Sequence, residues 1–192
     1  MKIGTRSLLF GVHQFIWHPF TVVLAWRSLY KRWPHWWELV AIFCHDLGYW
    51  GKPNLDGPEG RQHPEGGAAL TRRIVFRLAL LFGPSKDRDY AHDLADEARG
   101  LALGHSRAYM QQFNLEPSPL CWADKFCVFF DPMPLYLLRS WLTGELYEFR
   151  GNAHPIIGMP SAPKWFRWYR NRVQTAIEKS CPLYYRDQVF RS

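Results

Sequence analysis

The chain has 192 residues, 47% of them hydrophobic and 21% charged, with a formal net charge of +7. This composition excludes an intrinsically disordered chain and leaves enough apolar side chains for the packed core of a single domain. The positive charge favours an anionic partner, such as a phosphate ester, a nucleic acid or an anionic membrane surface, but it does not choose among them.

Residues 8–26, which read LLFGVHQFIWHPFTVVLAW, form the first long apolar stretch of the chain. They include histidine, glutamine and proline, which a membrane-spanning helix would normally exclude. We therefore predict a buried helical segment with functional histidines here, and no transmembrane segment.

Helical patterns dominate the rest of the chain, and no alternating run is long enough to predict a β-sheet. Four residues recur at helical spacing along one face ahead of a stop signal at Gly48: Leu39, Ile42, Phe43 and Asp46. Residues 49–66 are rich in Gly and Pro and predict a long ordered loop. Further helices are predicted over 66–82, over 89–105 after a cap at Asp87 or Asp89, from 119 onwards after the cap Ser118, over 134–149 and over 163–180.

Together these elements predict one all-α bundle over residues 1–192, in which 150–192 form a basic, aromatic C-terminal extension packed on the rest. The four cysteines form no C-x-x-C pair. Because Cys44, Cys121 and Cys127 lie in apolar helical surroundings, we interpret them as buried thiols of a reducing compartment, the cytoplasm.

Histidine and aspartate occupy core-facing positions on several of these predicted helices. A buried, unpaired carboxylate costs several kcal/mol, so each should be neutral, paired or bound to a metal. Imidazole with carboxylate suits Fe, Mn, Ni, Co or Zn. The candidate ligands are His13 or His18, then His45, Asp46, His63, His105 and Asp124. The other histidines, His35, His92 and His154, lack this setting and are predicted to be structural or at the surface.

Five segments occur in an order that resembles the H…HD…D signature of the HD-domain superfamily in its dinuclear form. His18 opens HPFTVVLA, the HD pair stands at 45–46, and Asp124 lies in ADKF. HPEGGAAL at 63–70 is similar to the HPxxGAxxL segment of the dinuclear members, and His105 in LGHSRAY is similar to their further histidine. The resemblance covers roughly residues 8–148.

The resemblance implies an HD-domain-like helical bundle with a two-ion site between its core helices. His18, His45, Asp46 and Asp124 would hold one divalent ion, and Asp46, His63 and His105 the other, with Asp46 and a water or hydroxide as bridges. Fe or Mn is the first choice of metal, with Zn, Ni, Co or Mg as alternatives. His13 could replace His18 as the first ligand or act as a proton shuttle.

The function implied is a metal-dependent phosphohydrolase that attacks a nucleotide or other small phosphoester with a metal-activated water. Asp46, Lys125 and Arg107 would be catalytic. The residues expected to bind the phosphorylated substrate are Lys52, Arg61, Arg107, Lys125 and His13. Tyr49 and Trp50 follow the HD pair where small nucleotidases of the superfamily often carry a glutamate.

Two other functions remain open at this point. A small branch of the superfamily uses the same ligand pattern for a mixed-valent di-iron oxygenase that cleaves a C–C or C–P bond with O2. Alternatively, residues 163–180, where aromatic rings alternate with Lys and Arg, could contact a membrane surface or single-stranded nucleic acid, or could pack on the domain. A homo-oligomer is compatible with the sequence.

Overall fold

The computed structural model describes residues 1–83, 87–158 and 161–180. Within these ranges the chain is helical and has no β-strand, so the all-α prediction is confirmed. The α-helices are α1 (Ile3–Phe10), α2 (Trp17–Tyr30), α3 (Trp36–Cys44), α4 (His63–Phe82), α5 (Arg88–Leu103), α6 (Arg107–Gln111), α7 (Pro119–Phe126), α8 (Met133–Thr143), α9 (Glu145–Ile157) and α10 (Ala162–Ser180). Short 3₁₀ helices cover Leu47–Tyr49, Gly60–Gln62 and Cys127–Phe129.

The helix that precedes the HD pair ends earlier than the sequence pattern predicted. Helix α3 ends at Cys44, His45 is its C-terminal cap, and Asp46 leads into the 3₁₀ helix Leu47–Tyr49. Phe43, predicted on the inner face, is 44% exposed. His45 and Asp46 therefore lie in a tight turn rather than on the side of a helix.

Two further boundaries differ in ways that matter for the site. Helix α4 begins at His63 rather than at residue 66, because Pro64 stands in the first turn, where its missing N–H costs no hydrogen bond. Helix α5 ends at Leu103, so His105 follows the helix instead of lying on it. Both histidines consequently lie at helix ends.

The predicted helix over 134–149 is in fact two helices. Gly144 separates α8 from α9 with φ of +88°, a left-handed conformation that favours glycine. The break allows α9 to run in a different direction from α8. Helix α9 begins with the buried Glu145.

The main core lies between α2, α3, α7 and α10. Its large buried side chains include Trp26, Ile42, Leu120 and Phe126. Two rings of α10 belong to it as well, since Trp165 is 3% exposed and Phe166 is fully buried. These two rings pack on the domain.

The apolar N-terminal region is divided between α1 and α2. No helix in residues 1–83, 87–158 or 161–180 is long and apolar enough to cross a membrane. Three cysteines, Cys44, Cys121 and Cys127, are buried and free. Cys181 lies outside the described residues.

Two glycines let the backbone of α4 contact the backbone of the turn that contains His45 and Asp46. A Cβ on Gly48 would lie 1.9 Å from the carbonyl oxygen of His63, and a Cβ on Gly67 would lie 2.1 Å from that of His45. Neither position can carry a larger side chain without moving the backbone. The contact places His63 beside His45 and Asp46.

Glu145 ties the N-terminal segment to the start of α9. Its carboxylate is fully buried and accepts hydrogen bonds from the Val12 amide (3.0 Å), from the Thr143 hydroxyl (2.5 Å) and from the Ser7 hydroxyl. His13 Nδ1 lies 3.2 Å from the same carboxylate. Burial alone would raise the pKa of Glu145, but the hydrogen bonds, led by that from His13, hold it below its usual range.

Replacing Glu145 with Ala is expected to lower the free energy of unfolding by about 3–5 kcal/mol, because it leaves several buried donors unpaired. Urea denaturation of the metal-free protein measures this loss. Glu116→Ala, at an exposed position, is the matched control and should change stability by less than about 0.5 kcal/mol. Equal stability of the two variants would contradict the role assigned to Glu145.

Candidate metal centre

Six ionisable side chains from separate parts of the fold converge at one point in the core. They come from the first turns of α2 and α4, the turn after α3, the residue pair after α5, and α7. Each is at most 9% exposed. The six are His18, His45, Asp46, His63, His105 and Asp124.

Asp46 lies at the centre of this group and turns one oxygen to each side. Its Oδ2 is 3.1 Å from His18 Nε2 and 3.2 Å from His45 Nε2. Its Oδ1 is 3.4 Å from His105 Nε2 and 3.6 Å from His63 Nε2. Asp124 joins the first side, with Oδ1 3.1 Å from His18 Nε2.

The ligand atoms therefore form two groups that share one carboxylate. His18, His45, Asp46 and Asp124 make up the first, and Asp46, His63 and His105 the second. We name them the four-residue group and the three-residue group. Within each, all ligand atoms lie within 4.8 Å of one another.

Backbone carbonyls fix the orientation of three of the four imidazoles. Nδ1 of His45, His63 and His105 lies 2.7, 2.7 and 2.5 Å from the carbonyl oxygen of the residue three positions earlier. Because a carbonyl only accepts, each Nδ1 must carry the proton, and in the neutral ring Nε2 then offers a lone pair to the centre. His18 Nδ1 is 3.6 Å from the sulfur of Cys127.

The four rings bring their Nε2 atoms together in two pairs. His63 Nε2 and His105 Nε2 are 2.8 Å apart, and His18 Nε2 and His45 Nε2 are 3.3 Å apart. Two lone pairs at such distances repel unless a proton or a cation lies between them. Asp46 Oδ2 is also buried without a hydrogen bond, an arrangement that native proteins rarely leave uncompensated.

The donor set fits a divalent transition metal. Ligands about 2.1 Å from one ion lie about 3 Å apart when they are neighbours, close to the separations seen here. Carboxylate oxygens and imidazole nitrogens are ligands that iron, manganese and zinc accept. The buried His and Asp groups can thus hold metal ions.

Electrostatics differ between the two groups. Burial opposes the charge on His18 and His45. At His18 it is outweighed by Cys127, followed by the carboxylates of Asp124 and Asp46, which raise the pKa well above its usual range. At His45 the carboxylates of Asp46 and Asp124 raise the pKa to about 9. Burial lowers the pKa of both His63 and His105, in which the positive charge of neighbouring imidazoles adds to the effect. A proton can therefore stand in for a cation in the four-residue group, but not between His63 and His105.

Both carboxylates remain ionised in this environment. Burial would raise the pKa of Asp46, but the imidazoles led by His45 lower it well below its usual range. For Asp124 burial is opposed chiefly by Lys125, and the pKa is again well below its usual range. The centre therefore keeps two negative charges to offer to cations.

Cationic and aromatic side chains border the centre. Lys125 Nζ is 2.8 Å from Asp124 Oδ2, the oxygen that faces away from the histidines. The Tyr49 ring stacks on His63 with centroids 3.7 Å apart, and the His13 ring lies 5.6 Å from that of His18. These three residues and Arg107 also line a cavity of 740 Å³.

The structure separates the predicted site residues into two sets. The six ligand candidates converge, and His18 rather than His13 lies within reach of both carboxylates. Lys125, Arg107 and His13 line the adjoining cavity, whereas Lys52 and Arg61, predicted to bind substrate, do not. Lys52 stands in a turn held against α1, and Arg61 is an exposed residue of the 3₁₀ helix Gly60–Gln62. The remaining histidines, His35, His92 and His154, are exposed.

Sequence reasoning missed three residues that border the site. Glu145 hydrogen-bonds His13, Cys127 contacts His18, and Tyr169 lines the cavity close enough to Lys125 and Asp124 for both to influence its pKa, which burial raises to about 12. Glu145 follows Gly144 as an acidic residue in a helical first turn, which is a common surface pattern and gives no sign of burial.

We compared the chain with models of known protein families, with curated proteins and with solved structures, and none of them matches it.

Proposed function

We propose that the protein is a metal-dependent phosphohydrolase of the HD-domain type, which holds two divalent ions and cleaves a phosphoester with water. The observation that carries this proposal is the sharing of Asp46 between two buried ligand groups beside the cations Lys125 and Arg107. Two-metal sites of this kind serve in-line displacement at phosphorus. The order of the ligands along the chain, H…HD…H…H…D, supports the same assignment.

When bound, the ions would acidify a water molecule and neutralise phosphoryl charge. Asp46, Asp124 and the four imidazoles would hold them. The oxygen of water forms a new bond to phosphorus, the bond from phosphorus to the ester oxygen breaks, and a proton passes to the departing alcohol. The products are the alcohol and inorganic phosphate.

The chain's own groups orient the phosphate and exclude water. Lys125, held by Asp124, and Arg107, with its guanidinium 5.7 Å from the Trp122 ring centroid, offer donors to phosphate oxygens. Tyr49 covers one face of His63 and, being 6% exposed, keeps bulk water from the three-residue group. His13 presents its ring to the cavity while its Nδ1 is held by Ser7 and Glu145.

The decisive experiment begins with elemental analysis of protein purified without oxygen. We expect Fe or Mn in the purified protein, and hydrolysis of members of a panel of phosphoesters and nucleotides after loading with either metal. Two irons per chain, oxygen uptake and no phosphatase activity would instead establish the oxygenase alternative and overturn the proposal.

Lys125 provides a more local test. Lys125→Met keeps the length of the side chain but removes its charge, so kcat/KM for phosphoesters is expected to fall about 10²-fold while metal content is retained. Steady-state kinetics and metal analysis on the same samples measure both quantities. Lys164→Met, at an exposed position of α10, is the control. Unchanged kinetics for Lys125→Met would show that Lys125 takes no part in catalysis.

A further inference from the structure

The cavity beside the metal centre is bounded on its other side by α9 and α10. Its volume is 740 Å³, within the range of pockets that enclose a whole small molecule. It adjoins the centre, because Lys125, Tyr49 and His13 line it and each contacts a ligand residue. Any substrate that reaches the ions from this cavity must leave the rest of its body between the two helices.

The wall formed by α9 and α10 contains a group of aliphatic side chains among aromatic and polar ones. Ala153 and Ile156 contribute from α9, and Val173, Ala176 and Ile177 from α10. None of these five side chains can donate or accept a hydrogen bond, so this part of the wall favours contact with an apolar group.

Aromatic rings in the lining are already stacked on one another. Trp165 lies nearly parallel to Phe149 (5.9 Å between centroids, 7°) and to Tyr169 (5.6 Å, 2°), and only 3% of it is exposed. A nucleobase is usually bound by stacking on an open ring face. The buried ring of Trp165 presents no such face to the cavity.

Two polar groups of the lining, Asn152 and Arg172, have partners within the protein. The amide nitrogen of Asn152 donates to Asp56 Oδ2 at 2.7 Å. The guanidinium of Arg172 lies 5.0 Å from the centroid of the Trp168 ring, which covers one face of that ring. Asn171 and Thr175 of α10 also line the cavity and are exposed, so the comparison with nucleotides below decides whether a base edge is recognised here.

We infer that the substrate is the phosphate monoester of a hydrocarbon alcohol. Its phosphate would bind beside Lys125 and Arg107, and its hydrocarbon chain would run along the aliphatic side chains of α9 and α10. The inference rests on the proposed function for the identity of the head group. It narrows the substrate from phosphoesters in general to amphiphilic ones.

A homologous series of alkyl phosphates tests the inference on manganese-loaded protein. We expect kcat/KM to rise about threefold to fourfold with each added methylene from ethyl phosphate until the cavity is filled. Every compound is kept below its critical micelle concentration, and adenosine and uridine monophosphates are compared at equal concentration. A flat series, or a nucleotide preferred over decyl phosphate, overturns the inference.

A polar substitution among these aliphatic side chains tests where the hydrocarbon chain of the substrate binds. Ile156 is 62% exposed, so Ile156→Asp puts a charge beside the cavity without disturbing the core. The ratio of kcat/KM for decyl over ethyl phosphate is expected to fall at least about tenfold. Leu81→Asp, at a position that is 65% exposed on α4, is the matched control and should keep the wild-type ratio. An unchanged ratio in Ile156→Asp would show that the hydrocarbon chain of the substrate does not bind at this wall.

Binding of alkylphosphonates, measured by calorimetry without oxygen, distinguishes failure of the inference from failure of the proposed function. Affinity that rises with the length of the alkyl chain, with a negative heat-capacity change, supports the inference even if no ester is hydrolysed. The absence of hydrolysis would then overturn the phosphohydrolase proposal alone. Hydrolysis of ethyl phosphate with no dependence on chain length, in rates or in binding, overturns the inference alone.

Discussion

Replacing Asp46 with Asn is expected to empty both ligand groups and to lower phosphoester hydrolysis by at least about 10³-fold. Asp46 is the only residue that belongs to both groups among the described residues, with one oxygen directed to each. An amide has the same shape but carries no charge, and its nitrogen cannot bind a cation. Metal content per chain by mass spectrometry and kcat for the best phosphoester measure the two effects.

Two other variants make this result specific. Asp124→Asn affects the four-residue group alone and should leave the three-residue group able to bind metal. Asp96→Asn, an exposed partner of Arg72, should retain wild-type metal content and rate. Wild-type metal content in Asp46→Asn would rule out the bridging role and, with it, the two-group interpretation.

The metal-free protein is expected to lose stability as the pH rises from 6.5 to 8.5. His18 and His45 have raised pKa values when folded, so their contribution is fully present below about pH 6.5 and is lost as the pH rises towards the folded values, about 9 for His45. His63 and His105, whose pKa values are lowered, are neutral when folded but partly protonated when unfolded near pH 6.5, so they add a smaller opposing rise in stability at the lower end of this window. The expected loss in free energy of unfolding is on the order of 2–3 kcal/mol.

Urea denaturation of chelator-treated protein at several pH values measures this slope. Metal-loaded protein is the natural comparison, because bound ions replace the protons of the four-residue group and should abolish or reverse the slope. The variant His92→Ala, which changes an exposed histidine, should keep the wild-type slope. A flat profile for the metal-free protein would show that the pair His18 and His45 holds no proton.

Much of the fold followed from local sequence patterns. Pro119 after Ser118 marked the start of α7 correctly, and the aromatic pattern of 163–180 marked α10 to within one residue. The boundaries around the HD pair could not be predicted in this way. Helix α3 ends at Cys44 because Gly48 and Gly67 let α4 pack on the backbone there, which is a tertiary contact without a local signal.

The candidate ligands could be selected from the sequence because histidine and aspartate are rare on apolar helical faces. What the sequence could not provide was the choice between His13 and His18, five residues apart on the same apolar stretch. The break between α1 and α2 decides it in the structure by directing His18 to the carboxylates and His13 to Glu145. The role of Glu145 depends on a contact over more than a hundred residues, which no local pattern indicates.

The carbonyl contacts of His45, His63 and His105 have a consequence for the cost of binding a metal. Each ring is held by a backbone group three residues earlier, at the end of a helical segment. The side-chain entropy of these rings is therefore lost when the chain folds, before any ion arrives. Metal binding then needs little rearrangement, and a rigid set of nitrogens discriminates between ions by the bond lengths and angles that they tolerate.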